Sequence, residues 1–370
     1  MKVMLDKNAA IRGVKRAVSL LSTKGCDALK LLWLTAEDDC ISVEASDGHI
    51  FFYGRYPASV IEPGTVGVNG KIFYGILDSC SDFVEINADE KSAKLKHKSG
   101  RCKLPVFGRS EIVSEYRPVL PEDTEQFTVN GIWLKDCIEN VAFCADNGYS
   151  GVDPLSCINF AKNEEGCLVA YGLDGRRMAA FNTQIEFPEQ FLIQKSYLGY
   201  LTKWFDNSII TVSIAEKFVF FENSIGEQVI VPRAYGEFPD CKVFLDKVSR
   251  DTSTITVSRE NLLMALKRIC IVDSDIDNAI AFSFKDDNLH CETKAESNGD
   301  IAEDIEIEYT GNIKVISFRT KNLIEILEKL SDSQDVKFSM TSETGPCLIT
   351  GNSELYKIIT MPVYFSKEEN

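Results

Sequence analysis

The chain has 370 residues, a formal net charge of −16, 44% apolar and 26% charged residues. That length exceeds one ordinary core and predicts two or three domains of a soluble globular protein. The acidic balance excludes a nucleic-acid binder whose charge is evenly spread, because phosphate recognition needs local positive charge.

Charges interrupt every apolar stretch of the opening MKVMLDKNAAIRGVKRAVSLL, which therefore lacks a signal-peptide layout. No segment approaches the roughly 18 consecutive apolar residues of a membrane span. The expectation is a cytoplasmic protein with no membrane association. The 12 cysteines are scattered singly, with no C-x-x-C pair, and there are only three histidines, His49, His97 and His290. Zinc ligands come in close pairs, so the reading is reduced, mostly buried thiols, with no metal and no cofactor.

Taken in chain order, the predicted elements repeat. VMLDKNAAIRGVKRAVSLL runs from a short strand through a capping Asp6 into an amphipathic helix. FTVNGIWLKDCIENVAFCA does the same through Asn130, and ITVSRENLLMALKRICIV through Ser258. Ala10, Leu134 and Leu262 correspond, as do Val14, Ile138 and Leu266, then Ala17, Val141 and Ile269. Such positions, at i, i+4 and i+7, form one helix face. A second helix recurs in VNGKIFYGILDSC, LIQKSYLGYLTKW and FRTKNLIEILEKL, aligned on Lys71, Lys195 and Lys321 and on Leu77, Leu201 and Leu327. Each is followed by alternating strands (FVEINAD, IITVSIA, VKFSMTS) and a closing apolar strand (CKLPVF, QVIVP, KIITMPV). The pattern is an internal triplication with units at 1–124, 125–252 and 253–370. Each unit reads as an α+β domain, two helices packed on antiparallel sheet.

Asp174-Gly175 within YGLDGRRMA lies between two strand-like runs and predicts a tight primed hairpin turn, as do Asp47-Gly48 and, more loosely, Asn298-Gly299. A phosphate loop is rejected, because no helix follows at once to supply an anion-binding N-terminus. GTVGVNGK likewise misses the P-loop spacing.

Positive charge collects on the helices. Arg12, Lys15 and Arg16 are spaced to share the face opposite the apolar one, and Lys267 and Arg268 match Lys15 and Arg16. Acidic residues crowd into strands and loops such as IAEDIEIEY. Recurrence at equivalent positions points to a functional surface rather than solvated helix faces. Such a surface contacts phosphates without reading bases.

Four segments carry a resemblance: YGLDGRRMA, GEFPDCKVFL, SGRCKL and the C-terminal IITMPV. Together, on a threefold repeat, these make the chain resemble the β sliding clamp family of bacterial DNA polymerase III over essentially its whole length. The resemblance implies half of a closed ring, a head-to-tail homodimer of six domains with helices lining a hole for double-stranded DNA. It implies no catalytic activity, and a processivity role in which polymerase and clamp-loader subunits dock through short linear motifs.

By position, the resemblance assigns Arg12, Lys24, Lys71, Lys195 and Arg268 to DNA, with Lys15, Arg16 and Lys267 added from the repeat pattern. The second-repeat helix departs, with Glu139 and Asn140 in place of a basic pair. The implied partner-peptide pocket comprises Leu155, Leu173, Gly175, Arg176, Arg177, Met178, Pro239, Val243, Phe244, Ile359, Thr360, Met361, Pro362 and Val363. Leu173, Arg176, Val243 and the Tyr364-Phe365 ending depart from the family pattern, so motif preference is expected to differ. The ring interface is expected to pair Leu104 and Val106 with Ile271 and Val272, with Pro105 unable to donate a ladder hydrogen bond. Two rivals stand beside this reading. One is a hydrolase joining Cys144 or Cys157 to His49 or His290. The other is a divergent phage or accessory protein of clamp fold that binds partners without encircling DNA.

Overall fold

The computed structural model describes residues 1–21, 27–98, 100–108, 117–148, 153–248, 253–272, 279–285, 287–295 and 299–363. Seven α-helices lie among them: α1 (Lys7–Leu20), α2 (Gly70–Ser79), α3 (Gly131–Val141), α4 (Lys195–Trp204), α5 (Cys241–Val248), α6 (Arg259–Val272) and α7 (Thr320–Lys329). None is long and apolar enough to cross a membrane.

The capping residues act as predicted. The Asp6 carboxylate accepts from Asn8 N at 2.8 Å, Asn130 Oδ1 from Ile132 N at 3.0 Å, and Ser258 Oγ from Asn261 N at 3.4 Å. Each satisfies one backbone donor that a helix start leaves without an intrahelical partner. The nine helix positions matched between repeats are all buried, none more than 2% exposed, and so are Leu77, Leu201 and Leu327 at 0%. Helix α1 packs against α2, and α6 against α7.

Among the described residues the strands are antiparallel and form two 12-stranded sheets. In the first, strand Phe51–Glu62 pairs with Gln228–Pro232, setting Phe52 against Val229. In the second, Arg177–Glu186 pairs with Tyr356–Thr360, setting Met178 against Ile359. Both ladders join strands far apart in sequence, so compactness does not follow the repeat. One compact unit comprises Met1–Lys135 with Ser196–Ala234; the other comprises Asp136–Lys195 with Tyr235–Asn370. The middle repeat is divided between them because each sheet runs on across a repeat junction.

The first unit holds a buried ionic knot under α1. Glu227, 0% exposed, accepts from Tyr56 Oη at 2.8 Å and Asn223 Nδ2 at 3.0 Å, and is bound by the Arg16 guanidinium. Gly13 is obligatory there, since an added Cβ would lie 1.5 Å from Tyr56 Oη.

Candidate functional site

The hairpin of YGLDGRRMA builds one wall of the site. Strands Cys167–Leu173 and Arg177–Glu186 close with Asp174 N donating to Arg177 O at 3.1 Å. Gly175 takes φ +82° at the first central position of the turn, where a Cβ would be strained. Asp174 Oδ1 accepts from the backbone N–H of Arg176 and Arg177 at 2.9 and 2.6 Å, so the loop is fixed by its own side chain.

Cross-strand register then sets Leu173 beside Met178, Met178 beside Ile359, and Ile359 beside Leu348. Helix α5 lays Cys241, Leu245 and Val248 on this row, an i, i+4, i+7 stripe. Leu173, Met178 and Ile359, at 8%, 2% and 4% exposed, form a floor with Leu155 packed against it. Thr360 is equally buried. Above the floor, Met361 (40%), Val243 (46%) and Phe244 (39%) are exposed, while Pro239, Pro362 and Val363 are half-buried. The strap 361–363 is held at both ends, with Met361 N donating to Arg176 O at 2.9 Å and Val363 N to Ser317 O at 2.8 Å.

The two arginines of the turn differ. Arg176 is exposed at the mouth. Arg177 has a side chain only 12% exposed, bound to Asp174 at 3.0 Å, Glu325 at 2.5 Å and Phe143 O at 3.3 Å. It ties the hairpin to α7. Burial alone would lower its pKa, yet nearby Cys144 and the carboxylates of Glu325 and Asp174 raise it. Tyr171 lies at the inner end of the same face, its phenol pushed up to about 12 by burial and by nearby Cys241 and Asp240. Sequence reasoning passed over Tyr171, Phe238, Cys241, Leu245, Val248 and Leu348; the 3.6-residue apolar period of CKVFLDKV was the signal available for three of them.

The basic positions are scattered in environment. Lys15 and Lys71 are exposed, and neither is paired among the described residues. Arg12 is exposed but bound to Asp206 at 2.5 Å. Lys267 bridges to Glu328 at 2.7 Å, and Arg268 grips Glu303 through two bonds of 2.6 and 2.7 Å. Hydrogen bonding from Arg268 holds the Glu303 carboxyl below its ordinary range. Lys195 donates to Ala145 O at 2.5 Å, its pKa lowered by burial and by Arg177. Lys24 lies outside the described residues. Arg16 corrects the expected shared basic face. Its side chain is 11% exposed and turned inward to Glu227, to Asp206 at 2.8 Å and to Trp204 O at 3.2 Å. The helix turns it toward the boundary of the apolar stripe, and the buried Glu227 completes its inward pull.

Strand Gly100–Pro105 is the end strand of its sheet, paired only with Ser92–His97 among the described residues. Leu104 is 5% exposed and Val106 half-buried. At the end of α6, Ile271 is 79% exposed and Val272 half-buried.

The cysteine–histidine rival loses its nucleophile. Cys144 and Cys157 are 0% and 1% exposed, and burial drives the Cys144 thiol strongly upward, away from thiolate. His290 Nδ1 lies 2.9 Å from Asp304.

Comparison with known proteins converges on one group. The family described as DNA polymerase III beta subunit, N-terminal domain, matches residues 1–115, and its C-terminal domain counterpart matches 249–364. A beta sliding clamp of Streptomyces coelicolor is 24% identical, covering 99% of this chain and 100% of that protein. One of Chlamydia muridarum is 22% identical, covering 83% and 84%. Among solved structures, the DNA polymerase sliding clamp of Pseudomonas aeruginosa superposes with a TM-score of 0.89 at 16% identity, covering 99% of this chain and 100% of the other. The DNA polymerase III beta subunit of Thermotoga maritima gives 0.86 at 19%, with the same coverage.

Proposed function

Since the chain belongs to the DNA polymerase III beta-subunit family, the sliding clamps, we propose that it works as a homodimeric ring around double-stranded DNA, non-catalytic itself, tethering polymerase and clamp-loader subunits. The carrying observation is the apolar floor of Leu173, Met178 and Ile359 beneath an exposed rim of Met361, Val243 and Phe244. A cleft with an apolar floor and few polar groups at its mouth suits the apolar anchors of an extended peptide. Met361 and Met178 adapt in shape to several ligands.

In this reading the chain is three domains, 1–124, 125–252 and 253–370, supported by the recurrence of buried helix positions. The DNA surface consists of Lys15, Lys71, Arg12, Lys267 and Arg268, with Arg16 and Lys195 assigned to holding the fold. The edge strand Gly100–Pro105, with Leu104 and Val106, packs against Ile271 and Val272 of a second copy. A cytoplasmic location accords with a replication factor.

The test is topological. Loaded onto nicked circular DNA, the protein remains bound through gel filtration; after the circle is cut once, it runs off. Loss from the intact circle at the same rate as from linear DNA overturns the ring.

A further inference from the structure

The face that carries the apolar floor continues into a polar groove of about 740 Å³. Two residues along from the row Leu173, Met178, Ile359, register sets Asn159 beside Tyr171, Tyr171 beside Ala180 and Ala180 beside Lys357. The groove shares Tyr171, Phe238, Cys241 and Leu245 with the apolar cluster, so the two lie on one continuous surface beneath α5. Asn159 lines it, is 5% exposed, and its buried carboxamide oxygen Oδ1 has no hydrogen-bond partner among the described residues. A buried acceptor left unpaired is destabilising, so a donor that reaches it from the groove gains what the free protein forgoes.

The other lining groups say which donor. Five carboxylates face the groove against three lysines, and one of those, Lys242, is already bound to Glu164 at its mouth. The amides of Asn182, Gln184 and Gln190 supply paired donors and acceptors of the kind that match a peptide backbone. We propose that this groove is a second subsite, which takes a basic peptide segment adjoining the apolar anchors of a bound partner. This rests on the partner-pocket reading, and Asn159 Oδ1 accepts from a lysine or arginine side-chain N–H of that segment.

The test titrates a fluorescent apolar peptide, two leucines in a six-residue glycine–serine frame, against the same peptide extended at either end by Lys-Arg-Lys or by Ser-Gly-Ser. The Lys-Arg-Lys extension at one end tightens binding about tenfold over Ser-Gly-Ser, the worth of one charged hydrogen bond. Asn159→Leu removes that gain, leaves the Ser-Gly-Ser peptides unchanged, and keeps or raises the melting temperature, since the oxygen it removes holds no bond among the described residues. A gain that survives Asn159→Leu, or no gain at either end, overturns the subsite. Should the unextended peptide fail to bind at all, the apolar pocket is what fails. The groove is then judged by free Lys-Arg-Lys amide: saturable binding abolished by Asn159→Leu sustains it, and no such binding ends it.

Discussion

Glu227 shows how far a single buried charge can organise a fold. It is wholly enclosed, and Arg16, Tyr56 and Asn223 converge on its two oxygens from α1 and two different strands. Removing one member of a buried ion pair leaves the other uncompensated, at a cost of about 3–5 kcal/mol. Glu227→Ala is therefore expected to lose stability of that order in urea unfolding, with Arg16→Ala alone nearly as damaging. Asp206 adds a pH signature. Partial burial works against its ionised form, but hydrogen bonds from Ser208 and Arg16 outweigh it and hold its pKa below the ordinary value. A depressed carboxylate contributes stability that is complete above its unfolded pKa of about 4 and is lost as pH falls through the folded value. The melting temperature should drop steeply in that acid window, and Asp206→Asn should flatten part of the drop. None of this was legible from sequence. Spacing put Arg16 beside Arg12 on a helix surface, but its partner stands at Glu227, on a loop that no periodicity connects to it.

At the scale of elements, periodic signals served well where an element makes its own contacts. The cap residues, the buried helix positions and the Asp174-Gly175 turn were all legible, since each depends on neighbours within a few residues. Met178 and Met361 looked equivalent in sequence, yet cross-strand pairing buries the first at 2% and leaves the second 40% exposed. A charge at Met178 would disturb the core; at Met361 it meets only an incoming ligand. Met361→Glu is expected to weaken binding of an apolar-anchor peptide by tenfold or more while the melting temperature moves little, about 0.5 kcal/mol in stability as for other surface changes. Fluorescence anisotropy and thermal unfolding on the same sample separate the two. Helix α5 escaped notice as an element: at 8 residues its apolar stripe is too short to stand out, and it was visible only as the motif GEFPDCKVFL.

For the whole molecule, the triplication could be read but the compact units could not. Sequence repeats record how the chain is built, whereas compactness records which strands share a ladder. The pairing of Phe51–Glu62 with Gln228–Pro232 crosses a repeat junction. The overall charge of −16 was likewise a poor guide to local surfaces, since Lys15 and Lys71 stand exposed on helices while carboxylates populate strands. If Lys71 meets a phosphate, Lys71→Ala should reduce the slope of log affinity against log salt by about 1, uniformly across DNA sequences. An unchanged slope removes Lys71 from the DNA surface.

If Arg12, Lys267 and Arg268 face DNA as proposed, their pairing with Asp206, Glu328 and Glu303 carries a mechanical consequence. A cation already resting on a carboxylate does not meet DNA as a bare charge; it trades one oxyanion for another. The trade is close to neutral in energy, so its reversal is equally easy, and each step along the duplex swaps partners without climbing out of a deep well. Internal carboxylates would thus act as a lubricant: the grip stays shallow, and friction stays low.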